Sequence, residues 1–155
     1  MECSNKPVRI LVSACLLGEK VRYDREHKRD IFLNEMLGPF VEWVRICPEV
    51  DCGLPVPREA MRLVGDPDRQ RLVANRTGID HTERMKRWAK ARLEELSGLD
   101  LCGYICKKDS PSCAMEPVGV FTRMFIDRFP HLPVEEEGRL ADPVLLERFL
   151  QRVKA

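Results

Sequence analysis

No two cysteines of this chain stand in a CxxC pair, although it has seven of them, at positions 3, 15, 47, 52, 102, 106 and 113. Any site they share must therefore be assembled by the fold from loops far apart in sequence. The odd count also fits poorly with a complete disulfide framework, which favours metal or catalytic use. A charge excess is lacking too: 26 Lys and Arg against 25 Asp and Glu leave a net charge of +1. Such a balance gives little bulk electrostatic grip on long nucleic acid, a local basic patch apart. Neither a signal-peptide apolar region nor an apolar stretch of membrane length occurs. The expectation is a cytoplasmic protein with no membrane partner.

What is present reads as ordinary globular protein, with 44% apolar and 33% charged residues in 155. That length fits one domain, residues 1–155, able to bury a real core. Three cysteines sit in polar, turn-forming settings: Cys15 in Ser13-Ala14-Cys15-Leu16-Leu17-Gly18, Cys47 in Cys47-Pro48-Glu49, and Cys113 in Ser110-Pro111-Ser112-Cys113. They look like ligands. Three thiolates with no fourth partner leave a metal or cluster one open coordination position, which catalysis needs and a purely structural site avoids.

The pattern along the chain alternates. Val8 to Ser13 is a short β-branched run that ends at the first cysteine loop, as a buried parallel strand would. Asp30 to Phe40 is expected as a helix, with Ile31, Met36 and Leu37 among its apolar positions and Gly38-Pro39 as its stop. Val41 to Ile46 reads as a second strand delivering Cys47. Residues 62–65 and 70–73 flank a turn-rich link and suggest a small hairpin. A long amphipathic helix follows to Leu96, capped by Asp80 or Thr82, with Met85, Trp88, Ala89, Leu93 and Leu96 on one stripe. Its polar face carries Arg84, Lys86, Arg87, Lys90 and Arg92, which is either a solvated face or a contact for an anionic partner.

Leu101 to Cys106 is a third strand-like run, Val118 to Phe129 a helix, Leu132-Pro133-Val134 a last short strand, and Pro143 to Val153 a closing helix. Strands alternating with helices imply an α/β fold, a single Rossmann-like domain with a mostly parallel sheet flanked by helices. Ligands of such sheets bind beyond the strand carboxyl ends. All three singled-out cysteines fall in such loops. Of the others, Cys102 and Cys106 lie on an apolar run where small buried cysteines are common, and Cys3 is terminal. Cys52, close to Cys47, is read as an inert thiol ahead of a fourth ligand or sulfur acceptor. His81 reads as structural at the helix start. Arg58 reads as a partner for a surface carboxylate rather than for a phosphate.

Four motifs in order carry a resemblance that spans nearly the whole chain. Val12 to Gly18 with Val21-Arg22-Tyr23-Asp24, Cys47-Pro48-Glu49-Val50 with Gly53 to Arg58, Gly78-Ile79-Asp80-His81-Thr82, and Lys108 to Cys113 resemble the thiouracil desulfidase family, once catalogued as domain of unknown function 523. The resemblance implies a 4Fe-4S cluster held by Cys15, Cys47 and Cys113, with the unligated iron binding the sulfur of a thiolated pyrimidine and releasing it as sulfide. By motif position, Glu49 and Ser110 look like the acid/base and proton-handling pair. Ser13, Arg22, Tyr23, Asp24 and Ser112 look like substrate contacts. Residues 132–140 resemble the branch joined to domain of unknown function 1722, associated with 4-thiouridine in RNA, and the chain stops where that second domain would begin. Two departures stand out: Ala114 replaces a usual glycine, and residues 115–121 are shortened, without the glycine-rich loop that often precedes the next helix.

The implied function is therefore an iron-sulfur-dependent desulfidase that turns thiouracil or thiouridine into uracil or uridine without net redox change, with small thiolated pyrimidines or nucleosides as substrates and tRNA as a further partner. Thiolate-bound iron is soft and prefers a thiocarbonyl sulfur to the product oxygen. Two other classes are weighed beside it. A zinc or iron-sulfur module that binds nucleotides or RNA without chemistry calls for a fourth protein ligand. A thiol-based redox or sulfur-carrier protein calls for a reactive cysteine of low pKa.

Overall fold

A computed structural model of the chain describes residues 7–20, 24 and 30–154. β1 (Arg9–Ser13) is followed by a 3-10 turn, Ala14–Leu17, and then by the segment that precedes β2 (Glu42–Ile46). The expected helix over 30–40 is not a regular α-helix: it winds as a π turn, Leu33–Leu37, and tightens into a 3-10 turn, Gly38–Phe40. Asp30 begins it by accepting the Leu33 N–H at 3.0 Å through Oδ1. The wider π winding turns Leu33 and Leu37 into the core, while Ile31 and Met36 point outward at 59% and 55% exposure. Of Ile31, Met36 and Leu37, expected among the apolar positions of a helix, Leu37 alone is buried.

α1 (Pro48–Asp51) is a single turn with proline at its start, read as loop from the sequence. β3 (Met61–Val64) and β4 (Arg71–Ala74) form the expected antiparallel hairpin. α2 (Thr82–Ser97), β5 (Leu101–Cys106), α3 (Val120–Arg128), β6 (Val134–Glu136) and α4 (Pro143–Lys154) complete the chain. The last strand lies two residues later than expected. Proline has no N–H for a ladder, so Pro133 contributes only its carbonyl, accepting the Tyr104 N–H at 3.0 Å, and the paired run starts at Val134.

Four strands make one parallel sheet in the order β2-β1-β5-β6. Helices cover both faces, so the α/β, mostly parallel, Rossmann-like expectation holds. Leu11, Tyr104 and Cys106 face α2 and α3, meeting Ala89, Leu93, Phe121 and Phe125. Ile10, Val12 and Ile105 face the other way, onto Leu33, Leu37, Phe149 and Val153. Pairing skips Cys102, because Arg9 pairs with Leu101 and Ile10 with Gly103. This bulge turns Gly103 toward α4, where an added Cβ would lie 3.2 Å from Phe149 and from Val153. Only glycine lets α4 sit that close.

β1 sits between β2 and β5, so the chain leaves it to one side and later returns on the other. Such a switch point opens a crevice beyond the strand carboxyl ends. The β3–β4 hairpin is pinned to α2 and α3 by Leu72, Met85 and Val120 in a small separate core, and to α2 by the Leu72 N–H donating to Thr82 Oγ1 at 2.7 Å. None of the helices among the described residues is long and apolar enough to cross a membrane.

Candidate functional site

Cys15, Cys47 and Cys113 line one cavity of about 440 Å³ at the carboxyl ends of β1, β2 and β5, together with Ser13, Glu49, Arg58, Met61, Ser110 and Ser112. Cys15 follows β1 in the 3-10 turn and Cys47 caps α1 at the end of β2. Asp51 fixes that second loop: its Oδ2 accepts the Cys47 N–H at 3.1 Å. Arg45 pairs at once with Asp51 and Glu19, at 3.1 and 3.2 Å, tying the Cys47 turn to the loop that follows Cys15.

The third cysteine loop rests on α3. The N–H groups of Val120 and Phe121, which begin the helix and have no intrahelical acceptor, donate to the carbonyls of Pro111 and Ser112 at 3.2 and 2.9 Å. Gly119 makes the approach feasible, since a Cβ there would fall 2.3 Å from the Ser112 carbonyl carbon. The segment after Cys113 closes as a tight turn in which Met115 pairs with Val118. Ala114 is buried there, donating its N–H to Ser110 and accepting the Gly119 N–H. The acidic stretch at the end of β6 has structural partners: Glu136 accepts the Met115 N–H at 2.9 Å, and Glu137 pairs with the Lys107 ammonium at 3.3 Å and accepts the Lys108 N–H at 2.8 Å.

Glu49 is the centre of a polar relay. Its Oε1 takes both Nε and a terminal nitrogen of Arg58 at 2.8 Å, with the two side chains 13% and 7% exposed. The expectation that Arg58 meets a surface carboxylate is corrected, because its partner is this largely shielded one lining the cavity. Oε2 is left to accept the Ser112 hydroxyl at 3.3 Å. Ser112 lies 3.0 Å from the Ser110 hydroxyl. Ser110 Oγ already accepts the N–H groups of Ser112 and Cys113, at 3.3 and 3.1 Å. Its own proton is thereby aimed at Ser112. Glu49 and Ser110 thus communicate through Ser112 rather than directly.

Ser13 bridges two strands by accepting the Lys107 N–H at 3.0 Å, with its hydroxyl reaching Cys113. Of the remaining expected substrate contacts, Asp24 is exposed and does not line the cavity, while Arg22 and Tyr23 lie outside the described residues. Cys52 does not line it either; its thiol donates to the Glu49 carbonyl at 3.3 Å and packs near Leu72 and Met85. Cys102 is disulfide-bonded and Cys106 is fully buried, so neither is a ligand candidate. The pairing of Arg58 with Glu49 had no signal in the sequence, since nothing periodic links a turn residue to a carboxylate nine positions earlier.

The thiols are poor nucleophiles. Burial first, then the neighbouring Cys113 and Glu49, push the Cys47 thiol up to about 12. Burial raises Cys113 as well, against hydrogen bonds from Ser13, Tyr104 and Ser112. A reactive cysteine needs the opposite direction, which counts against the thiol-redox reading. A single zinc ion would gather its thiolates to within roughly 4 Å of one another, given the bond length to sulfur. Among the described residues no group of three His, Cys, Asp or Glu side chains is arranged to hold one metal ion. A soft, polynuclear cation spanning the cavity fits this donor set better, and would favour the deprotonated form of each thiol.

Fold and site define an α/β protein with a three-cysteine pocket at the switch point of a parallel sheet. The family model of 2-thiouracil desulfurase matches residues 10–137, and the chain belongs to that family. Among solved structures it is similar to a 4Fe-4S-dependent thiouracil desulfidase, TudS, with 30% identity and a TM-score of 0.71, over 91% of this chain and 98% of that one. It also resembles the uncharacterized protein YbbK of Bacillus subtilis (strain 168), 29% identical over 109 residues, 67% of this chain and 72% of that protein.

Proposed function

We propose that residues 1–155 form one desulfidase domain in which Cys15, Cys47 and Cys113 hold a 4Fe-4S cluster, and that the substrate is a small thiolated pyrimidine, as free base or nucleoside. The observation that carries this reading is the convergence of three thiols, and no fourth among the described residues, on one cavity that the Glu49 carboxylate also lines. When bound, the cluster supplies a soft Lewis acid at the iron without a protein thiolate, where the thiocarbonyl sulfur is polarised with no net redox change. The similarity to TudS supports that cofactor. The volume, about 440 Å³, falls within the usual span of small-molecule pockets of about 300–1,000 Å³. A tRNA nucleotide as substrate has weaker support, given the +1 net charge. The cytoplasm is its proposed location.

The residues then have distinct tasks. Arg58 occupies Oε1 of Glu49 and so presents Oε2 to the cavity. At Oε2 the carboxylate takes a proton from the water that adds to the ring carbon. The C–S bond breaks, sulfur leaves as sulfide, and the carbon keeps the water oxygen. Ser112, between Glu49 and Ser110, moves the proton along the hydroxyl pair toward the departing sulfur. Ser13 orients the ring beside Cys113.

Two substitutions test this. Cys113→Ser should bleach the cluster absorbance, whereas Glu49→Gln should keep iron and sulfide at the parent level and lose turnover by about 100-fold or more, the usual worth of a general base. Full turnover by Glu49→Gln would remove Glu49 from the chemistry.

A further inference from the structure

The β1–β2 ladder ends at the pair Ser13 and Ile46, and the turns that carry Cys15 and Cys47 begin directly beyond it. From there the ladder no longer sets how far apart the two thiols stand. Arg45, one rung earlier and opposite Val12, reaches past the end of the ladder to both turns. Its Nη1 donates to both carboxylate oxygens of Asp51, at 3.1 and 3.3 Å. Its Nε donates to both oxygens of Glu19 at 3.2 Å, and Nη2 lies 3.2 Å from one of them. A planar guanidinium with its fork of donors can serve two carboxylates at once, whereas an ammonium is a single point charge.

Each carboxylate is in turn fastened to a cysteine turn. Asp51 holds both backbone groups of Cys47: its Oδ2 accepts the Cys47 N–H at 3.1 Å, and its own N–H donates to the Cys47 carbonyl at 2.8 Å. Glu19 closes the Cys15 turn. Its N–H donates to the Ala14 carbonyl at 3.4 Å, next to Gly18, which takes the left-handed conformation at φ 96° and donates to the Cys15 carbonyl at 3.2 Å. The stability that the bridge itself contributes is small, because Arg45 and Glu19 are each 41% exposed. What it supplies is geometry. Arg9 and Glu42 offer the comparison: they join the same two strands at the amino ends, 3.0 Å apart and at 35% and 56% exposure, and neither lines the cavity.

We propose that Arg45 is a positioning residue for the cluster: by bridging Asp51 and Glu19 it fixes the Cys47 turn against the Cys15 turn, and so sets how long those two thiolates keep their iron. The inference rests on the cluster reading given above. Arg45 does not line the cavity, so it acts through the ligand turns and not on substrate. Groups behind metal ligands orient them, and losing one costs roughly 10- to 100-fold in metal affinity. The bridge is thus a device for retaining the cluster, separate from Glu49 and its serines, which act from the cavity side.

The experiment follows cluster loss in excess EDTA from the anaerobically reconstituted parent chain, Arg45→Gln, Arg45→Lys and Arg9→Gln. Decay of the iron-sulfur absorbance is the readout, with starting iron content and the Tm of the iron-free protein recorded for each. The expected result is decay about 10-fold faster than the parent in both Arg45 variants, and parent-like decay in Arg9→Gln. The iron-free Tm should fall by no more than about 4 °C in any of them. Incomplete loading of the Arg45 variants beside full loading of Arg9→Gln also supports the inference. Should Arg45→Gln fail to fold, Glu19→Ala decides, since it cuts the more exposed arm and leaves the pair with Asp51; its cluster should also decay faster than the parent's. Parent-like decay in Arg45→Gln overturns the inference, and so does parent-like decay in Arg45→Lys, because a charge without the fork would then suffice. Equally fast decay in Arg9→Gln overturns it as well, since any ion pair across the two strands would then have the same effect. In those cases the parent keeps its cluster and the cluster reading stands. A parent chain that takes up no cluster overturns both.

Discussion

Replacing Gly119 by alanine should disable the site from a position that touches no substrate. Its backbone, at φ −68° and ψ 161°, suits alanine without strain. The obstacle is space: the new methyl would fall 2.3 Å from the Ser112 carbonyl carbon and 2.6 Å from both the Cys113 nitrogen and the Ser112 oxygen. All three are backbone atoms, so no rotamer change relieves the contact. Either α3 or the Cys113 loop must shift by about 1 Å to restore ordinary contact distances near 3.5 Å. Overpacking of this kind costs roughly 1–3 kcal/mol. Weakening the hydrogen bonds from Val120 and Phe121 to the loop adds about 1 kcal/mol. A loss of about 3 kcal/mol in a domain of this size lowers Tm by roughly 6–12 °C. Thermal denaturation of the iron-free protein measures it, and iron stoichiometry after reconstitution reports the displaced cysteine. Gly103→Ala is the control, since its contacts at 3.2 and 3.3 Å are with side chains under α4, away from the cavity. It should lower Tm and leave iron binding alone. Parent-like Tm and iron content in Gly119→Ala would refute the account of how α3 holds the third cysteine.

Arg58→Met should cost roughly 1–3 kcal/mol in urea denaturation, because it leaves the largely shielded Glu49 carboxylate without its charged donors, and Arg58→Met combined with Glu49→Gln should recover part of that loss; absence of coupling between the two would remove the pair from the account. Hydrogen bonds from Thr82, and after them Arg71, hold the Asp80 carboxyl down to about 2. A lowered carboxylate stabilises the fold above its ordinary value near 3.9 and loses that contribution as pH falls toward 2. The stability difference between parent and Asp80→Asn should therefore be level from pH 7 to 5 and vanish near pH 2, staying below about 1 kcal/mol because the pair is half exposed; a difference that grows in acid would reverse the sign. In the iron-free chain at pH 7, Cys47 should alkylate far more slowly than an unfolded thiol, given its pKa near 12; fast modification read by mass spectrometry would revive the thiol-redox reading.

The strands that build the site were legible because each is a short apolar run ending at a cysteine, and α2 because its buried stripe repeats at helical spacing. The π turn over 33–37 was not, since its apolar residues also suit an α-helix and only the packing of Leu33 and Leu37 selects the wider winding. α1 left a signal in the proline at its first position and the acidic residues of its first turn, which mark a helix start. Cavity residues from the cysteine motifs were readable as a set. Their wiring was not: the placement of Ser112 between Glu49 and Ser110 and the turn of Arg58 into the cavity depend on tertiary contacts that no local pattern announces.

The most direct test is anaerobic reconstitution with iron and sulfide, then addition of 2-thiouracil while its thiocarbonyl absorbance and released sulfide are followed together. Absorbance loss matched by sulfide, seen with the reconstituted protein and missing from the iron-free one, is the predicted result. A fully assembled cluster that leaves 2-thiouracil and thiouridine untouched would contradict the account.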